Sequence, residues 1–173
     1  MKKSRQTALE ISVRDQTLTV KDGGNGARKF PISTSRFGLG TKEGSMKTPL
    51  GRFRIAAKIG AGMPAKTVFK NRRPLRGADT SVAAGDLVMA RILWLDGLGA
   101  RNANTHDRYI YIHGTNHERK IGIPASHGCI RMKNADMVEL FDLVQRDTPV
   151  LITARKPRRR APQKSRKSLR RIP

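Results

Sequence analysis

The chain has 173 residues, 36 lysines and arginines against 13 aspartates and glutamates, and a formal charge of +23. That length makes one ordinary domain with material left over, and a core of this size needs no disulfide or metal staple; the single cysteine excludes an internal disulfide. No run of 18 apolar residues offers a membrane-spanning helix, and the opening MKKSRQTALEISVRDQ lacks the apolar stretch of a secretory leader.

The basic surplus is uneven. Ten basic residues and no acidic one fall in residues 155–173, RKPRRRAPQKSRKSLRRIP; taking them from +23 leaves +13 on residues 1–154. Dense like charge with proline and serine and almost nothing apolar predicts a disordered arm that binds polyanions in a salt-dependent way. The expected division is a flexible N-terminus over 1–8, a folded domain over 9–154 and the basic tail over 155–173.

Leu9, Ile11 and Val13 alternate with polar residues, then Leu18 and Val20 after Arg14-Asp15-Gln16: a strand, a turn and a strand. Asp22-Gly23-Gly24-Asn25-Gly26 is a turn, and Phe30 and Ile32 resume the alternation. Phe53 and Ile55 mark the next strand after Thr48-Pro49-Leu50-Gly51. Residues 60–86 carry glycine, proline and basic residues without periodicity and are expected to form a long excursion, a lid over a site. Leu87–Leu95 is a nearly unbroken apolar strand; Tyr109–His113 is another, whose period of two puts Tyr109, Tyr111 and His113 on one face. One helix is expected from Asn134 to Arg146, with Asn134 as N-cap and Met137, Leu140, Phe141 and Val144 as its apolar stripe. Val150-Leu151-Ile152 closes the domain as a strand. The fold class is therefore mainly β, a sandwich or barrel with one principal helix.

The lone thiol lies in SHGCIRM, residues 126–132, with a histidine two residues before it, a glycine directly before it and an arginine two residues after. A solitary cysteine is usually a small buried hydrophobe, but these neighbours suit chemistry better. A free thiol with pKa near 8.5 is only a few per cent thiolate at neutral pH. His113, sixteen residues upstream across a glycine- and proline-containing loop, is expected within hydrogen-bond reach of Cys129, and a paired imidazolium or Arg131 would raise the thiolate fraction. Gly128 lets substrate approach the backbone, so that the N–H groups of Gly128 and Cys129 receive a developing oxyanion. Nucleophile, base and electrophilic pocket together imply acyl transfer.

IHGT followed by SHGCIRM resembles the signature of the L,D-transpeptidase catalytic domain, the cysteine enzymes of bacterial peptidoglycan. ISVRDQTLTV is similar to that family's opening hairpin, FPISTSRFGLGT and KTPLGRFRI to its following segments, RILWLDGL and RYIYIHGT to its approach to the site, and TPVLI to its closing strand; the resemblance covers residues 9–153. It implies a β-rich catalytic fold with its helix after the active-site loop. Cys129 would attack a stem-peptide carbonyl after the third-position diamino acid, expelling D-alanine through a thioester. His113 would be the general base. Ser126, His127, Gly128 and Gly114 would shape the pocket and oxyanion site. Arg131 would bind a substrate carboxylate or brace the loop, and Tyr111 would contact substrate. An acceptor amine gives a cross-link, water gives an L,D-carboxypeptidase, and carbapenems acylate the cysteine. No cofactor is implied, and the family's setting is the cell envelope, outside the cytoplasmic membrane; without a leader in this chain, a cytoplasmic location stays open.

Two other readings compete. His113-x3-His117 with His127-x-Cys129 supplies four zinc-ligand types, but paired Cys-x2-4-Cys spacing is absent and His113 leaves a strand rather than lining a helix; no metal is expected. The charge alone would suit a nucleic-acid-binding protein, yet aromatics are 5% of the chain and no stacking motif or recognition helix appears. The expected partners are peptidoglycan stem peptides, with residues 155–173 holding an anionic polymer or membrane surface and no specific nucleic acid.

Overall fold

The computed structural model describes residues 7–23, 27–75 and 85–154. Most of the expected N-terminal segment and all of the basic tail thus lie outside the described residues, as does 76–84 of the excursion. Ten strands and one α-helix are found among the described residues: β1 (Ala8–Ser12), β2 (Thr17–Lys21), β3 (Ala27–Pro31), β4 (Gly51–Ile59), β5 (Val68–Lys70), β6 (Arg73–Pro74), β7 (Val88–Gly97), β8 (Tyr111–Gly114), β9 (Ile130–Met132), α1 (Asn134–Leu143) and β10 (Pro149–Thr153). Ala8, expected in the flexible segment, is the first residue of β1.

The fold is mainly β, as the alternating pattern predicts. Leu9 and Ile11 of β1, Leu18 and Val20 of β2, Phe30 of β3 and Val150 and Ile152 of β10 are all buried in one core. Every second residue of these strands points inward because successive side chains take opposite faces. The sheet runs β3-β2-β1-β10-β4-β7. β1 and β10 pair in parallel, Leu9 opposite Val150, which seats the last strand beside the first. β7 then serves two branches: Met89 faces Val68 of β5 on one side and Gly114 of β8 on the other. Between Met89 and Ile92 the ladder slips, and Ala90 there has φ 63°. A bulge of this kind bends a strand and sharpens its twist.

α1 packs across β7 and β8. Met137 and Leu140 are fully buried, and each contributes roughly 2 kcal/mol by leaving water. Lys58 of β4 holds the other end: its Nζ donates to the carbonyls of Phe141 (2.6 Å) and Val144 (2.5 Å). A cation there satisfies orphan carbonyls at the negative end of the helix dipole.

The helix is shorter than its sequence pattern. It stops at Leu143, and Val144 is extended with φ −121°; Gln145 N–H donates to Thr148 Oγ1 at 3.0 Å, so turn chemistry takes over before Arg146. Lys133, not Asn134, is the N-cap. Asn134 is the first helical residue, and its Nδ2 donates to Thr115 O at 3.0 Å, tying the helix start to the end of β8.

The strand expected from Tyr109 begins at Tyr111. Tyr109 adopts φ 55° and stays half exposed, its ring stacked on Trp94 at 5.8 Å. The described part of the 60–86 excursion contains the β5–β6 hairpin, which pairs with β7 and so extends the sheet.

Candidate active site

β8 and β9 run parallel with Ile112 opposite Ile130 and His113 opposite Arg131. Ile112, Ile130 and Met132 enter the main core. Alternation then gives the opposite face to Tyr111, His113, Arg131 and Cys129, the residue just before β9. The sequence-predicted nucleophile and base are thereby brought onto one face as diagonal neighbours.

His113 is buried, and its Nδ1 lies 2.6 Å from the Gly114 carbonyl. A carbonyl only accepts, so the proton sits on Nδ1 and Nε2 keeps its lone pair. Burial holds the imidazole pKa below its usual value, outweighing the Gly114 bond and the charge of Asp86; Arg131 pushes it further down. The resting histidine is neutral, with its basic nitrogen unprotonated. Gly114 is glycine for want of room. A Cβ there would stand 2.2 Å from Asn134 Oδ1, 2.8 Å from Met89 O and 2.9 Å from Ala90 Cβ.

Cys129 Sγ receives the Tyr111 N–H at 3.4 Å and lies 3.4 Å from Tyr109 O. No hydrogen bond joins it to His113 among the described residues: each has its own partner. Burial pushes the thiol up to about 11, with Asp86 adding to the rise; the Tyr111 N–H, Arg131 and Arg108 act the other way without reversing it. Arg131 thus acts on the thiol in the expected direction, but burial outweighs it. Arg131 pairs with Asp86 at 3.0 Å, and the two charges act on the sulfur with opposite signs.

That ion pair also decides what Arg131 does. It is 1% exposed. Its guanidinium is taken by Asp86, by His117 Nδ1 at 3.4 Å and by Ala125 O. It braces the loop and presents no fork toward a substrate carboxylate.

The loop before the cysteine is fixed from inside. Ser126 is fully buried; its Oγ donates to Cys129 O at 2.6 Å and accepts the Gly128 N–H at 3.2 Å. The Gly128 N–H is therefore committed, contrary to its expected place in an oxyanion pair. Thr48 Oγ1 donates to Gly128 O at 2.9 Å. Gly128 has φ 122°, a backbone conformation that L side chains rarely adopt, which explains glycine beside the cysteine. His127 sits at the rim, its Nε2 3.3 Å from Arg36 and its ring 5.7 Å from Phe37.

A pocket of about 340 Å³ is lined by Phe69, Arg72, Val88, Ile92, Tyr109 and Tyr111, together with Asn71. Cys129 packs against the apolar cluster of Phe69, Ile92 and Tyr111, so this pocket adjoins the sulfur. Tyr111 meets Trp94 edge-on at 5.7 Å, and its hydroxyl accepts from Arg72 Nη1 at 3.3 Å.

Sequence patterning missed Asp86, Thr48, Arg72 and Arg108. Arg108 donates to Gly40 O and Lys47 O, which holds its charge close enough to act on Cys129. None of the four belongs to the motif, and Asp86 and Arg72 come from the stretch without periodicity. Of the imagined zinc donors, His117 and His127 each face an arginine. No group of three or more His, Cys, Asp or Glu side chains suited to a metal ion occurs among the described residues.

Fold and motif coincide with one family model, the YkuD L,D-transpeptidase catalytic domain, which matches residues 6–152. The chain belongs to the L,D-transpeptidase catalytic-domain family. It is 52% identical over 145 residues to the YkuD protein of Bacillus licheniformis, an inferred L,D-transpeptidase, covering 84% of this chain and 64% of that one. The L,D-transpeptidase of Xylanimonas cellulosilytica (residues 123–326) shares the fold at TM-score 0.57 and 21% identity, over 88% of this chain and 63% of that one. The L,D-transpeptidase LdtMt1 in complex with imipenem does so at TM-score 0.53 and 20% identity, over 85% and 58%. The chain spans 52% and 64% of two curated Bacillus relatives it matches.

Proposed function

We propose that the protein is a cysteine acyltransferase acting on peptidoglycan stem peptides through a thioester on Cys129. The observation that carries this is the Nδ1–Gly114 carbonyl bond. It leaves His113 Nε2 as a neutral base on the face that Cys129 shares.

The neutral thiol and neutral imidazole define the order of events. Cys129 gives its proton to His113 Nε2 as Sγ bonds to the carbonyl carbon of the third stem residue. The developing oxyanion takes the Cys129 N–H, since the Gly128 N–H is held by Ser126; one such donor is worth about 3 kcal/mol in the transition state. The C–N bond then breaks, and His113 returns the proton to the departing D-alanine amine. An acceptor amine next attacks the thioester, loses a proton to His113 and releases the sulfur, which recovers that proton. The result is a cross-link or an attached amine; water in the same step gives a carboxypeptidase. Ser126, Thr48 and Arg131 hold the nucleophile's loop, while Tyr111 forms a pocket wall. No step calls on a cofactor.

The setting is the cell envelope, with the ten charges of residues 155–173 concentrating the enzyme on an anionic surface. Incubation with tetrapeptide-bearing muropeptides, followed by mass analysis, tests the reaction. Dimers indicate transfer and tripeptides hydrolysis. Unchanged substrate with folded protein overturns both.

A further inference from the structure

The β5–β6 hairpin closes with Lys70 opposite Arg73, so its loop is the two residues Asn71 and Arg72. Both are left-handed, with φ 50° and 65°. A two-residue turn of this type favours Asn-Gly, because the second position too needs positive φ. Asparagine meets that preference here, but arginine stands where glycine would be easiest. A side chain held at such a position points to a use for it.

The arginine is presented to the pocket beside Cys129. Its guanidinium carbon lies 4.9 Å from the Trp94 ring centre and 5.1 Å from that of Tyr109. Nη1 reaches the Tyr111 hydroxyl. Aromatic rings engage the flat face of a guanidinium and leave its N–H edge to form paired bonds with a carboxylate. No carboxylate is ion-paired with Arg72 among the described residues, whereas Arg54 has Asp96 and Asp147 and Arg131 has Asp86. Arg108, whose charge acts on Cys129, is engaged by two backbone carbonyls.

We infer that Arg72, set over Trp94 and Tyr109 by the Asn71–Arg72 turn, binds a carboxylate of the donor peptide in the pocket beside Cys129. This rests on the proposed acyl transfer from a stem peptide and gives Arg72 one of the two roles that the family resemblance offered for Arg131. The carboxylates that can flank the scissile bond are that of the terminal D-alanine and, in a stem whose diamino acid is dicarboxylic, its second carboxylate.

Binding is measured to the full chain carrying Cys129→Ser, with Arg72 intact or replaced by Gln or Gly. The donors are the tetrapeptide, its terminal carboxamide and its diamino-acid carboxamide. Arg72→Gly is the folding control, since glycine suits the turn. Arg72→Gln and Arg72→Gly are expected to weaken tetrapeptide binding about 10- to 100-fold. One of the two carboxamides should weaken binding to the Arg72 chain equally and cost the variants nothing more, which identifies the carboxylate. Tetrapeptide binding that survives both replacements overturns the inference alone, as does an equal loss on all three donors. A tetrapeptide that never binds overturns it together with the proposed reaction.

Discussion

Arg131 Nη1 and Asp86 Oδ1 meet at 3.0 Å, with Arg131 almost wholly excluded from water. The two charges act on both reactive groups with opposite signs: Asp86 raises the Cys129 thiol and Arg131 lowers it, and the same holds at His113. Asp86→Asn leaves a buried guanidinium without its counter-charge, and breaking such a pair costs about 3–5 kcal/mol. The urea midpoint should fall accordingly. Removing a negative charge also favours the thiolate, so alkylation of the folded variant by iodoacetamide at pH 8 should be faster than in the unaltered protein. Slower alkylation would contradict the assigned direction.

A thiol near 11 is about one part in ten thousand ionised at pH 7. The rate of iodoacetamide alkylation should therefore rise about tenfold per pH unit from 7 to 9, without a plateau. A plateau near neutrality would mean a preformed thiolate–imidazolium pair. Enzymatic turnover should behave differently, because His113 removes the proton during attack. Its pKa lies below the ordinary 6.5, and the base is active when neutral. Activity should then persist as pH falls past 6.5 and decline only below it. For stability the sign is the same: the unfolded chain takes up a proton near 6.5 and the folded chain does so lower. This contribution is complete above 6.5 and is lost as pH falls toward the folded value.

The His113 tautomer depends on Gly114, and Gly114 has no space for a methyl group. Two of the three atoms it would strike belong to Met89's backbone and the buried Ala90, neither free to swing aside. Gly114→Ala is expected to cost about 1–3 kcal/mol through overpacking and to shift the carbonyl that receives the Nδ1 proton. His113→Ala removes the base outright and should cost about 10²- to 10⁴-fold in kcat/KM, measured on protein confirmed to be folded. A loss under tenfold removes His113 from that role. Cys129→Ser should keep the fold and abolish turnover.

The strands that alternate were legible because one face is buried: Leu9 and Ile11, or Leu18 and Val20, announce themselves two residues apart. β9 was not, since all three of its residues are buried and a three-residue run carries no period. Its parallel pairing with β8 is a long-range fact, and it alone explains how Cys129 comes to lie beside Tyr111. The motif marked Cys129 and His113, yet it said nothing of their state. Burial sets the thiol, and that burial is assembled from Phe69, Ile92 and Tyr111, none of them near Cys129 in sequence. The setting of Arg131 was hidden for the same reason: its partner Asp86 sits 45 residues upstream, in a segment whose composition predicts only a loop. Tyr109 fits the strand pattern but stacks on Trp94, a tertiary contact that outweighs its β propensity.

Truncation after Ala154 separates the basic tail from the chemistry. β10 ends at Thr153, so the cut removes no residue of the described sheet. Ten positive charges go and +13 remains. Since each neutralised anionic site releases counterions, the salt dependence of binding scales with the number of contacts. The truncated protein should elute from heparin at lower salt, with a shallower slope of log affinity against log salt, while Cys129 keeps its alkylation rate. Unchanged elution would assign polyanion binding to the folded body and end the proposed role of residues 155–173. A changed alkylation rate would mean that the tail reaches the cysteine's face, since nothing else within the described sheet is altered by the cut.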